Sequence, residues 1–133
     1  MKGRTRKVII GIFALTVAAF AVWTYWIWSF MEDFARCRNV VLSSTLSPDS
    51  TKAVFVFRQE CNATVPDSTW ASVATADGSF VPNRNTAFLG VIGGAEVLSS
   101  WHGNDVIEVA LMPGGGPFLR QEERAGVIRI NYK

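Results

Sequence analysis

The sequence predicts a mainly β protein: one N-terminal transmembrane helix followed by a small antiparallel β-sandwich or barrel-like domain. Three observations carry this. Residues 8 to 30 form 23 consecutive positions without a formal charge. Short runs of β-branched and aromatic residues then recur, bounded by turn-forming residues. The two cysteines, Cys37 and Cys61, both follow the apolar run.

The apolar run comes first in the chain. As a helix rising about 1.5 Å per residue it spans roughly 34 Å, enough for a hydrocarbon layer of about 30 Å with slight tilt. Lys2, Arg4, Arg6 and Lys7 precede it, and Glu32 and Asp33 follow it. The positive-inside rule therefore puts residues 1–7 in the cytoplasm as a basic tail and the remainder outside. Trp23, Tyr25, Trp26 and Trp28 crowd the outer end, where an apolar ring with a polar handle suits the headgroup boundary. Ala19-Phe20-Ala21 also matches the small-x-small pattern of a signal-peptidase site. Cleavage there would start the mature chain with nine largely aromatic residues, so the segment reads as a retained anchor. Ala14 and Ala18 make one small-x-x-x-small pair, ordinary filler in a lipid-facing helix.

The chain has 13 basic side chains, four of them before residue 8, which leaves 9 against 11 acidic ones, a net −2. No basic run follows residue 7, which argues against nucleic acid as a partner. After a polar neck at 31–39, the extracytoplasmic domain is read as 40–133. Strands are expected at Val40 to Leu46, Lys52 to Arg58, Thr69 to Ala74, Thr86 to Ile92, Glu96 to Trp101, Val106 to Met112 and Val127 to Tyr132. Ser47-Pro48-Asp49-Ser50 should turn the first hairpin, since Pro48 presets φ and Asp49 can bond its own backbone. Gly103-Asn104-Asp105 should turn a second.

On the oxidising side of a membrane two lone cysteines read as one disulfide, Cys37 to Cys61. It closes a loop of 24 residues, worth about 3 to 4 kcal/mol on the chain-entropy account. A redox pair would need closer C-x-x-C spacing. No metal or cofactor is expected, because His102 stands alone and zinc takes four ligands.

Catalytic chemistry is poorly supplied. A triad of His102, a serine and Asp105 or Asp67 lacks a Gly-x-Ser-x-Gly elbow, and His102 adjoins a turn. Glu122 and Glu123 are adjacent and point apart in extended chain. Pro113-Gly114-Gly115-Gly116-Pro117 lacks the Lys-Ser/Thr and helix of a P-loop and reads as a flexible connector. Trp70 and Trp101 read as core. Asn62-Ala63-Thr64 matches a glycosylation sequon, with Asn62 expected in a tight turn.

Ser47-Pro48-Asp49, Lys52-Ala53-Val54-Phe55, Glu60-Cys61-Asn62-Ala63-Thr64 and Ser68-Thr69-Trp70-Ala71-Ser72-Val73 stand in an order that resembles small bacterial membrane-anchored proteins of unknown function. The likeness spans most of Cys37 to Tyr132. It implies an N-terminal anchor, a neck cysteine, a Trp comparable to Trp101 and a closing strand, and Asn62 stands where Gly would be usual. It implies no activity. The expectation is a non-enzymatic binding or accessory module, single-pass in a bacterial inner or cytoplasmic membrane, with the bilayer and an envelope protein as partners. Its alternatives are a structural subunit of a membrane complex and an envelope hydrolase.

Overall fold

The computed structural model describes residues 2–34, 36–62 and 65–133, with the side chains of Lys2, Asp33 and Phe34 also outside the described set. Lys2, as a flanking charge, and the last two positions of the Asn62-Ala63-Thr64 sequon therefore lie beyond description. The chain divides into two units, one ending at Arg36 and one beginning at Cys37.

The first unit is a single helix, α1 (Lys2–Phe34). Its stretch from Gly3 to Glu32 is long and apolar enough to cross a membrane by length and composition, with mean hydropathy 2.2 over the best window and none of that window buried in protein. Nothing in its interior breaks a helix: Gly11 is isolated and no proline occurs,. Thr16 and Thr24, which would compete for backbone hydrogen bonds, instead donate to the carbonyls of Phe13 and Ala21 within the helix,. The helix passes Ala21 without interruption.

The second unit is a β-sandwich with nine strands among its described residues: β1 (Cys37–Leu46), β2 (Lys52–Cys61), β3 (Ser68–Thr75), β4 (Leu89–Ile92), β5 (Val97–His102), β6 (Val106–Leu111), β7 (Phe118–Gln121), β8 (Arg124–Ala125) and β9 (Ile128–Tyr132). One sheet has the order β1-β2-β3-β4-β7 and the other β5-β6-β9-β8. Both have free edges, so the arrangement is a sandwich and not a closed barrel. The polar neck expected at 31–39 is taken up by helix as far as Phe34 and by strand from Cys37. The connector expected to be flexible is tied down, since Gly116 N–H donates to the Ile92 carbonyl and Ile92 N–H to the Pro117 carbonyl.

Alternation along the strands builds the core. Val54 and Val56 of β2, Ala71 of β3 and Leu89 and Val91 of β4 meet Val97, Ile107, Val109, Ile128 and Ile130 of the second sheet, with Phe88 between. Each of these is nearly inaccessible to solvent, and burying such a side chain is worth about 1.5 to 3 kcal/mol. A smaller cluster of Phe57, Trp70 and Ala87 lies on the other face of the first sheet, roofed by Phe80, which also stacks on Phe55 at 4.1 Å. Trp70 lies over β4 where Gly90 leaves room; a Cβ at Gly90 would overlap its ring.

Both expected hairpins form. At the first, Asp49 accepts from Ser47 Oγ at 2.6 Å and from Thr51 N–H at 3.0 Å, and these bonds hold its carboxyl below the usual carboxylate range,. At the second, Gly103 adopts φ of 72°, open to glycine without steric cost,. Asn104 then accepts from Asp49 N–H at 3.1 Å, which joins the two turns. Thr86, expected to open a strand running to Ile92, instead closes a 3-10 turn over Arg84–Thr86 with Asn83 as its cap, and β4 begins only at Leu89.

Candidate functional site

The Cys37–Cys61 disulfide is present. The two residues stand directly opposite each other in the β1–β2 register, with Cα atoms 4.1 Å apart, so the bridge clips the open end of the first hairpin. On α1, Arg4, Arg6 and Lys7 occupy the first turns, and Trp23, Tyr25, Trp26 and Trp28 are exposed near the other end.

Trp70 and Trp101 both serve packing. Trp70 Nε1 donates to Ser68 Oγ at 2.8 Å, and Trp101 Nε1 donates to the Thr45 carbonyl at 2.9 Å, which ties β5 of one sheet to β1 of the other. His102 ends β5, and its Nε2 lies 3.0 Å from Glu108 Oε2. No hydroxyl hydrogen-bonds to it among the described residues. Among those residues no three His, Cys, Asp or Glu side chains gather as a metal-binding group.

An open groove of about 1100 Å³ runs along β8 and β9, lined by Glu122, Glu123, Arg124, Arg129, Ile130, Asn131 and Tyr132. The sequence builds it through a two-residue hairpin. Gly126, with φ of 64°, opens the loop between Ala125 and Ile128, the placement of glycine in a type II′ turn. That turn sets Arg124 directly opposite Arg129, and residues directly opposite in an antiparallel pair share a face. Ile128 and Ile130 point into the core, so Arg129 and Asn131 point out,.

One wall is held by Tyr132, whose hydroxyl donates to the Glu122 carbonyl at 2.6 Å. Burial pushes its pKa up to about 12, and the carboxylates of Glu122 and Glu123 push the same way,. Glu122 also faces Arg120 Nε at 3.6 Å. Arg120 is occupied further: its Nη1 donates to the carbonyls of Arg84, Asn85 and Ala87 at 3.1, 3.0 and 2.9 Å, fastening the 3-10 turn to β7.

On the same outer face, Glu108 of β6 is gripped by Lys133 Nζ and by His102, and the Lys133 bond is the main reason its carboxyl titrates below the usual range. Arg124, Arg129 and Lys133 thus gather on one sheet face although no basic run exists in the sequence. A smaller cleft of about 440 Å³, lined by Val73, Phe88, Ala125 and Ile128 among others, backs onto the groove and shares Glu122 and Arg124 with it.

Sequence reading singled out neither arginine. The available signal was Arg124-Ala125-Gly126-Val127-Ile128-Arg129, in which a Gly-led two-residue loop puts residues five apart side by side. Set against protein families, curated proteins and solved structures, the chain finds no match.

Proposed function

We propose that this chain is a single-pass membrane protein whose extracytoplasmic sandwich acts by binding, without a catalytic step, and that the groove along β8 and β9 is its contact surface. The observation that carries this reading is an open, mixed-charge groove on a disulfide-clipped β domain that follows one long apolar helix. A disulfide fits an oxidising compartment, and four basic residues before the apolar stretch fit a cytoplasmic N-terminus,. Cleavage after Ala21 would leave nine largely aromatic residues at the start of the mature chain, which supports an anchor over a cleaved signal. In this reading the partner is a bacterial envelope protein.

The test joins topology to contact. A reporter fused after Lys133 should be active only outside the cytoplasm, and activity inside would end this reading. Photo-crosslinkers at Asn131 or Glu123 should then capture a defined partner in intact cells, while one at Val81, on another surface, should not. Exchanging residues 8 to 30 for an unrelated transmembrane helix should leave the captured partner unchanged. Loss of capture on that exchange, with the protein stable and correctly oriented, would favour the structural-subunit alternative, in which the helix itself makes the contact.

A further inference from the structure

Arg124 and Arg129 stand directly opposite each other on the outer face of β8 and β9,. Like charges directly opposite in a sheet oppose its formation. Of the neighbouring carboxylates, Glu108 is held by Lys133 and His102, and Glu122 faces Arg120. Glu123, which adjoins Arg124 and also lines the groove, makes no ion pair with either arginine among the described residues. Among the described residues neither arginine has an ion-pair partner, and both line the groove together with Asn131, two residues beyond Arg129 on the same face.

We propose that Arg124 and Arg129, with the Asn131 amide, form a binding site for a phosphoryl group. The number of donors selects the ligand. Each guanidinium presents a planar fork that grips two oxygens, so two forks and one amide offer five well-directed hydrogen bonds. A carboxylate offers two oxygens and one negative charge, whereas a phosphoryl group presents three oxygens and up to two charges and can accept from both arginines and the amide at once. Its negative charge also removes the repulsion between the paired cations. The groove also carries Glu122 and Glu123, so the charges of its lining balance and its positive charge is confined to the two arginines. That confinement suits one discrete phosphoryl group and disfavours an extended polyanion. The inference rests on the reading of the groove as a contact surface and specifies its ligand chemistry.

The phosphoryl group can belong to a free compound or to a lipid headgroup, and the test separates them. Full-length protein in phosphatidylcholine nanodiscs is melted with increasing inorganic pyrophosphate, and again in nanodiscs doped with phosphatidic acid, whose phosphomonoester presents three terminal oxygens. A free phosphoryl ligand predicts a saturable rise in Tm with pyrophosphate that weakens as sodium chloride is raised. A headgroup ligand predicts that the doped discs raise Tm and blunt the pyrophosphate response. Either result supports the site only if R124Q/R129Q weakens the apparent affinity at least tenfold. R124E serves as a second variant: it places a carboxylate opposite Arg129, should melt no lower than wild type without ligand, and should also lose the response. The proposal is overturned if wild type responds to neither ligand or if the variants respond as wild type does. If R124E loses the pyrophosphate response yet still captures the cellular partner, the phosphoryl site stands and the groove is not the partner's contact surface. If wild type ignores both ligands while partner capture depends on the groove, only the phosphoryl site is lost.

Discussion

At the scale of single residues, Tyr132 joins the groove to the sandwich. Its hydroxyl donates to a backbone carbonyl and its ring packs against the core; that burial, with the Glu122 and Glu123 carboxylates adding in the same direction, disfavours the phenolate and pushes the pKa up to about 12,. Tyrosine in an unfolded chain ionises near pH 10. The native state holds this proton more tightly than the unfolded chain. The resulting contribution to stability is complete below about pH 10 and disappears as pH rises through about 12. A spectrophotometric titration of wild type minus Tyr132→Phe should show one phenol ionising near pH 12; a transition near pH 10 in that difference would mean the hydroxyl is free in solution. At neutral pH the same substitution should cost about 0.5 to 1.5 kcal/mol for the lost hydrogen bond. The sequence displays Tyr132 only as the end of a strand. Its partner Glu122 lies ten positions away, and the strand between them that returns the chain is too short to read as a pattern.

At the scale of elements, legibility tracks how local the cause is. Ser47 to Ser50 and Gly103 to Asp105 carry their own turn chemistry, and both hairpins form where that chemistry places them. The disulfide is equally local in origin, since two cysteines leave one pairing. β7 and β8 were invisible: Phe118–Gln121 has four residues, Arg124–Ala125 has two, and neither is long enough to establish a period of two. The stretch 84–86 has strand-like neighbours but is held as a 3-10 turn by Asn83 at its start and by Arg120 from a distant strand, a cause no local window contains. The disulfide gives the element-scale prediction. Replacing Cys37 by Ser should lower stability by about 2 to 5 kcal/mol, measured by urea unfolding. The difference should vanish when wild type is assayed under reducing conditions, and a difference that persists would mean the loss comes from packing at Cys37.

At the scale of the whole molecule, the division into an apolar helix and a β domain was legible because hydropathy and strand propensity change abruptly near Glu32. The assignment of strands to sheets was not. That assignment depends on which inner faces meet, and the meeting of Val54 and Val56 with Ile107 and Ile130 is a contact between segments more than fifty positions apart. It is testable as a contrast on one sheet. Ile130→Ala, at a position 2% exposed, should destabilise by about 2 to 5 kcal/mol, whereas Leu98→Ala, at a position 48% exposed, should stay within about 0.5 kcal/mol,. Equal losses in urea unfolding would mean that Leu98 is covered in solution.

The register of β9 has a consequence for the order of assembly. β9 lies between β6 and β8, parallel to the first and antiparallel to the second, so the second sheet receives its inner strand after every other strand of the fold has been synthesised. During synthesis the β1–β2 hairpin is complete first, and Cys37 can meet Cys61 while most of the domain is still to come. β5 and β6 then wait as a two-stranded ribbon, which is marginal in water on its own, until residues 128–132 arrive. The interval between early clipping and late closure is the period in which the ribbon's open edge invites pairing with another chain, and a chaperone would have most to guard then.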